Sequence, residues 1–383
     1  MIPVRKEREK AILVGVATRD VTPKQAKEHL AELGRLADTA GANIVDQVLQ
    51  RRPTFDPSTL VGTGKAHEIE ALVKEHKADL VIFDEDLSGS QAKNLEEIIH
   101  AKILDRSALI LDIFARHART AEAKIQVEVA QLEYSLPRLT GAWTHLSRQV
   151  GGIGTRGPGE TQLEVDRRSI RKRISDLKKK LRKVESIRAS QREQRGGTFH
   201  VALVGYTNAG KSTLMNSLTQ AGVEAADRLF ATLDPTTRKL WLGSHRESVL
   251  SDTVGFIRKL PTGLISSFKS TLSVVAQASF ILNVVDISSE DFEEQMEITA
   301  RILNELGVTE APRLLVFNKI DLIEPERLGF LREQYPDASF VSAENKIGLE
   351  ELRDRLGIAC DQSRFDAIQA EMHSRATSDV FAG

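Results

Sequence analysis

The stretch GYTNAGKS at residues 205–212 constrains this chain more than any other. It fits the spacing G-x-x-x-x-G-K-[ST], with an apolar run before it at 199–204 and a helix-compatible run after it at 212–218. A strand, a glycine loop and a helix in that order make a cradle for phosphate oxygens. The glycines let the backbone close in, while successive N–H groups and the helix N-terminus point at the anion. In such a loop Gly205, Tyr206, Thr207, Asn208, Ala209, Gly210, Lys211, Ser212 and Thr213 surround the phosphates. Lys211 reaches the β- and γ-phosphates, and the Ser212 hydroxyl ligates Mg²⁺.

Three further signals follow in order. Residues 250–256, LSDTVGF, form an apolar strand ending in D-x-x-G. There Asp252 is placed to hold Mg²⁺ through a water, Thr253 and Val254 continue the turn, and the Gly255 N–H senses the γ-phosphate. Residues 314–321, LLVFNKID, end a strand in N-K-x-D, supplying Asn318, Lys319 and Asp321. The Asp321 carboxylate can accept from both guanine N1–H and the 2-amino group. Adenine offers neither donor there, so the carboxylate selects guanine. Ser342 and Ala343 are expected to turn backbone N–H groups towards guanine O6. Four motifs in order, each after a strand, resemble the translation-factor-related class of P-loop GTPases.

Residues 229–237, LFATLDPTT, are where the first switch belongs, around Phe230, Ala231 and Thr232. A threonine there must bring its hydroxyl to Mg²⁺ and its N–H to the γ-phosphate; Thr232 is the choice and Thr236 the alternative. Lys211, Thr232 and Gly255 are the expected catalytic set, and Ser212, Thr232 and Asp252 the expected metal set. After D-x-x-G the familiar GTPases carry a glutamine that orients the attacking water. Here the residue is Phe256, which predicts slow intrinsic hydrolysis aided by a partner surface. Asn208 matches the asparagine that potassium-stimulated GTPases use, so K⁺ is a second candidate cofactor.

With 383 residues the chain has room for about two or three domains. Its net charge of −1 excludes a global polyanion binder, so any basic surface is local. One cysteine, Cys360, fits a reducing compartment. No apolar run suggests a membrane span, and the first residues lack the apolar core of a signal peptide. A soluble, cytoplasmic monomer is expected.

Residues 1–115 alternate strand-like and helix-like segments, which predicts a small α/β domain with a largely parallel sheet. GTGK at 62–65 lacks the phosphate-loop spacing and reads as a glycine turn before a helix. His29, His67, His76, His100, His117 and His145 show no metal-ligand spacing.

Residues 116–195 carry two apolar stripes at near-heptad spacing: Ile125, Val129, Leu132 and Leu136, then Ile170, Ile174, Leu177, Leu181 and Val184. They predict a long antiparallel helical hairpin. A helix is expected over 115–136, stopped by Pro137. Between the helices GGIGTRGPGET at 151–161 reads as an irregular functional loop. Residues 156–195 hold fourteen Lys or Arg against six Asp or Glu, a net of +8. On a near-neutral chain that concentration points to structured RNA, with Gly151, Gly152, Arg156, Arg167, Arg168, Arg171, Lys172 and Arg173 as contacts. The competing reading is a GTP-gated scaffold that binds a protein through the hairpin. Residues 196–358 form the Ras-like GTPase domain, and 359–383 a short polar tail.

Taken together the chain resembles the HflX family of ribosome-associated GTPases. The resemblance rests on residues 151–168 (GGIGTRGPGETQLEVDRR), 205–214 (GYTNAGKSTL), 230–238 (FATLDPTTR) and 252–256 (DTVGF), with 126–139 and 61–65 also similar. It implies GTP and GDP as ligands and binding to the large ribosomal subunit and its rRNA near the peptidyl-transferase centre. It further implies GTP-dependent splitting of stalled or hibernating ribosomes, with ribosome-stimulated hydrolysis. The glycine-rich segment would stand at the ribosome-facing tip. Some relatives also hydrolyse ATP through the N-terminal domain.

Overall fold

The structure, a computed structural model, describes residues 8–19, 21–139, 158–193, 198–219, 229–230, 233, 235–243, 247–261, 264, 274–308 and 311–381. The chain divides into two compact units. One holds Met1–Lys183 with Lys259–Ser267, the other Val184–Arg258 with Phe268–Gly383.

The first unit alternates as the sequence predicts: β1 (Lys10–Ala17), α1 (Pro23–Thr39), β2 (Asn43–Arg51), α2 (Thr63–His76), β3 (Leu80–Phe83), α3 (Gly89–Ile99), β4 (Lys102–Asp105) and α4 (Arg106–His117). The four strands make one parallel sheet in the order β2-β1-β3-β4. β3 is buried at every position and β1 from Ala11 onward, as strands covered on both faces must be. Helix starts are written in the sequence. Thr22 caps α1 through a reciprocal pair with Gln25, ahead of Pro23, and Ser88 caps α3 with Gln91. Gly62, at φ +83°, precedes α2, so GTGK is a turn into a helix.

At the C-terminal end of β3, Asp84 is nearly fully buried. It accepts from Arg106 Nη1 and from Lys259 Nζ, both at 2.7 Å, and Arg106 also pairs with Glu32. Lys259 reaches Glu85 as well, at 2.7 Å. Burial of three charges, Glu32, Asp84 and Arg106, is tolerable only because each has an opposite partner within hydrogen-bond range.

The expected helix over 115–136 is in fact two. α4 stops at His117, and α5 (Ala121–Ser135) starts anew with Thr120 accepting from the Ala123 N–H at 3.1 Å. No proline or glycine marks this corner in the sequence; the Thr120 cap does. α6 (Pro158–Glu193) begins earlier than expected, inside the glycine-rich motif. Pro158 has its φ preset for a first helical turn, so residues 158–161 are helical rather than irregular. The predicted stripes meet: Ile125, Val129 and Leu132 of α5 form one apolar cluster with Ile174, Leu177 and Leu181 of α6. Residues 140–157, including Gly151, Gly152 and Arg156, lie outside the described residues.

The second unit contains β5 (Phe199–Gly205), α7 (Lys211–Thr219), β6 (Thr236–Trp241), β7 (Glu247–Asp252), β8 (Phe280–Asp286), α8 (Phe292–Glu305), β9 (Arg313–Asn318), α9 (Pro325–Gln334), β10 (Ser339–Phe340) and α10 (Leu349–Phe381). Its sheet runs β10-β9-β8-β5-β7-β6, parallel except for the β6–β7 pair. One face packs Val201, Leu203, Leu250 and Leu282 with Leu214 and Met215 of α7 and Leu352, Leu356 and the fully buried Cys360 of α10. The other gathers Val285, Phe292, Phe317 and Leu331, with Phe317 in edge contact with Phe292 and Tyr335. Residues 359–381, read as a polar tail, continue α10 as helix. Among the described residues no helix is long and apolar enough to cross a membrane.

Candidate active site

The phosphate-loop motif leaves β5 at Gly205, whose φ is +144°. A Cβ there would lie 2.1 Å from the Val284 carbonyl oxygen, so only glycine fits. Asn208 and Gly210 also have positive φ, +63° and +87°, which curls the loop before α7. A Cβ on Gly210 would meet Asn318 Nδ2 at 2.2 Å. Gly205 to Gly210 thus make the turn, and Lys211, Ser212 and Thr213 open α7. Tyr206, Thr207 and Ala209 are buried beside it.

Lys211 is buried, and its Nζ donates to the carbonyls of Gly205 at 3.1 Å and Tyr206 at 2.8 Å. Burial pulls its pKa down to about 8, with the Asp252 charge opposing. The sign has a consequence for ligand binding. Above pH 8 this lysine loses its ammonium, and an anionic ligand must recapture the proton. Affinity for a nucleotide should therefore fall by up to about tenfold per pH unit from about pH 8 towards the ordinary lysine value. Titration with a fluorescent GDP analogue at pH 7, 8 and 9 reads this directly. A flat profile would mean that Lys211 stays charged throughout. The fold itself changes oppositely: the depressed pKa makes it gain stability as pH rises through that window.

The Ser212 Oγ donates to Asp252 Oδ2 at 2.6 Å. A hydroxyl and a carboxylate side by side are hard oxygen donors, the set that suits Mg²⁺. β7 carries Asp252 to this place, in register with Leu203 of β5 and Thr236 of β6. Thr253 is fixed by its hydroxyl on the Leu203 carbonyl at 2.6 Å, and Val254 is buried. Gly255 presses on the loop: a Cβ would lie 2.6 Å from Thr207 Cα and 3.0 Å from Lys211 Nζ. Phe256 then joins the loop by both backbone groups, its N–H to Gly205 O at 3.1 Å and its C=O from Thr207 N at 2.7 Å. Its ring is buried, so it packs rather than orients water.

The Phe230 N–H donates to Thr207 Oγ1 at 3.0 Å, tying the first switch to the phosphate loop. Ala231 and Thr232 lie outside the described residues. Thr236, the alternative switch threonine, opens β6 opposite Asp252.

At the end of β9, Asn318 is a brace. Its Nδ2 donates to Ala209 O at 2.9 Å, and its Oδ1 accepts from the Ala343 N–H at 3.0 Å. Lys319 follows at φ +65°, paired with Asp286 at 2.6 Å, and Asp321 is exposed in a 3-10 turn, Ile320–Leu322. The N–H groups of Ser342 and Ala343, assigned to guanine O6, donate within the protein to Ile347 O at 3.1 Å and to Asn318 Oδ1. Buried N–H groups take protein acceptors where these are in reach. Asp286 was not singled out from sequence, since N-K-x-D says nothing of the neighbouring strand.

Three family models cover the chain: "GTP-binding GTPase N-terminal" over residues 27–115, "GTP-binding GTPase Middle Region" over 117–195 and "50S ribosome-binding GTPase" over 200–319. The GTPase HflX of Caldanaerobacter subterraneus is 48% identical over 358 residues, covering 93% of this chain and 82% of that one. This chain belongs to the HflX family of GTPases. The Escherichia coli GTPase HflX is 45% identical, covering 90% of this chain and 81% of its own. Among solved structures, the complex of SsGBP with GDP superposes with a TM-score of 0.51 at 26% identity, over 93% of this chain and 99% of that one. The chain is thus an HflX-family enzyme that hydrolyses GTP.

Proposed function

We propose that this HflX-family GTPase binds the large ribosomal subunit and uses GTP binding and hydrolysis to split or rescue stalled or hibernating ribosomes. The observation that carries the ribosomal part is how α6 divides its basic residues. Arg173 pairs with Glu128 at 2.8 Å and Lys178 with Glu133 at 2.6 Å, both acids of α5. Arg168, Arg171, Lys172, Lys179 and Arg182 are exposed at helical spacing. That row runs over fifteen residues, a rise of roughly 21 Å at about 1.5 Å per step, long enough to follow several phosphates of a structured RNA. Arg167, half-buried, sits at its start. Arg173 belongs to the packing of the two helices rather than to this row. The match to a 50S ribosome-binding GTPase model over residues 200–319 supports the same reading.

In the catalytic end, Ser212 and Asp252 would hold Mg²⁺, with Thr232 as the switch ligand. When bound, Mg²⁺ neutralises charge between the β- and γ-phosphates. Lys211 adds a second positive charge, the Gly255 N–H donates to the γ-phosphate, and Asp321 reads the guanine. Phe256 offers the attacking water nothing, so its orientation falls to the ribosomal surface. Asn208 would hold K⁺ where an arginine finger otherwise acts.

GTP turnover of the purified protein with increasing large subunits, in KCl and in NaCl, tests this. Saturable stimulation is expected, larger in KCl. Replacing Arg168, Arg171, Lys172, Lys179 and Arg182 by glutamine should weaken subunit binding at least about tenfold and flatten its salt dependence, with GDP affinity unchanged. Subunit affinity that survives these changes removes α6 as the contact. No stimulation, with GTP still bound, favours a GTP-gated scaffold for a protein partner.

A further inference from the structure

We propose that Asp286 is a positioning residue for guanine recognition, acting through Lys319. The proposal rests on the reading of Asn318, Lys319 and Asp321 as the base-binding end of the site. Nothing in the motif N-K-x-D requires an acid on the neighbouring strand.

The geometry begins with register. β8 and β9 are parallel neighbours, and Asp286 stands opposite Asn318 as the last pair of the ladder. The Ile287 N–H donates to Asn318 O at 3.1 Å, so the two strand ends leave the sheet together. Asp286 then uses each carboxylate oxygen for a different purpose. Its Oδ1 accepts from the Ser288 N–H at 3.0 Å and the Ser288 hydroxyl at 2.5 Å, which immobilises the carboxylate. Its Oδ2 takes the Lys319 ammonium at 2.6 Å.

Lys319 is the residue that needs such a hold. Its φ of +65° lies in the left-handed region. Its neighbour Asn318 is committed to Ala209 and Ala343, and Asp321 stands two residues on, in the turn just beyond. Anchoring the ammonium confines a long, rotamer-rich side chain before the base arrives, so less freedom is lost on binding. The pair is partly shielded, with side-chain exposures of 26% for Lys319 and 17% for Asp286. An ion pair at this depth is screened less than one on the open surface. Asp286 therefore contributes to affinity for guanine nucleotides without touching them.

The test measures GDP affinity and the kcat and KM of GTP hydrolysis in Asp286→Asn, Asp286→Glu, Lys319→Ala and the double variant Asp286→Asn with Lys319→Ala. Asp286→Asn should weaken GDP binding and raise KM by about tenfold, with kcat at saturation within about twofold of wild type. Asp286→Glu should recover most of the loss. In the Lys319→Ala background, Asp286→Asn should cost less than about twofold more. Unchanged affinity in Asp286→Asn overturns the proposal. So does a full tenfold loss that persists without Lys319, because the effect would then not run through that lysine. A lower melting temperature with intact affinity would likewise leave Asp286 a purely structural residue. Preference of the wild type for GDP over ADP is measured first. If that preference fails, the base-reading assignment fails, separately from the role of Asp286.

Discussion

Replacing Asp321 by asparagine is expected to turn the protein from a guanosine into a xanthosine triphosphatase. The carboxylate stands exposed in the 3-10 turn after β9, where it can accept from guanine N1–H and the 2-amino group. Xanthine carries a carbonyl in place of that amino group. An asparagine amide matches it, accepting from N1–H and donating to the carbonyl. Sites that hydrogen-bond a substrate group discriminate by about 10⁴–10⁵ against analogues lacking it. A comparable swing in kcat/KM, GTP against XTP, is expected for Asp321→Asn, read by phosphate release. A variant that still prefers GTP would move base recognition to another loop and leave Asp321 a surface residue.

The second large effect is expected at Gly255. In Gly255→Ala the new methyl would lie 2.6 Å from Thr207 Cα, an atom of the phosphate loop's own backbone. That backbone neighbour cannot swing aside, and Thr207 Cβ lies next, at 2.9 Å. The D-x-x-G segment must shift by several tenths of an ångström to about one. Misplacement on that scale costs about 10²-fold in rate. Single-turnover hydrolysis should slow by about that factor, while GDP, which has no γ-phosphate, should bind nearly as in wild type. A rate within threefold of wild type would remove Gly255 from the γ-phosphate assignment.

Much of the catalytic end is legible in the sequence because it is local. Residues 205–212 need only their own spacing to define a loop, and Gly205 and Gly210 do prove to be places where a side chain cannot fit. The strands at 199–205 and 313–318 announce themselves by apolar runs that end in motif residues. What escapes is whatever depends on a partner distant in sequence. The Asn318 amide, read as part of a base-binding motif, is committed to Ala209, 109 residues away, and to Ala343. Asp286 was invisible for the same reason, since its relation to Lys319 exists only once β8 and β9 pair. In the first unit the errors are of another kind. The corner at 118–120 holds neither proline nor glycine, and only Thr120, as a cap, records it. Glycines at 151–159 argued for irregular chain to residue 161, whereas Pro158 marks where helix begins.

Cys360 closes the core of the second unit beneath α7, fully buried, and is the chain's one thiol. That placement gives the molecule a built-in clock. A soluble thiol reagent can reach the sulfur only when α10 lifts from the sheet, so its labelling rate under native conditions counts openings of this core. Nucleotide that binds the closed form and not the open one must slow that clock, the more so the tighter it binds. The wild-type chain therefore reports ligand-induced tightening of its own interior, without any probe added to its surface.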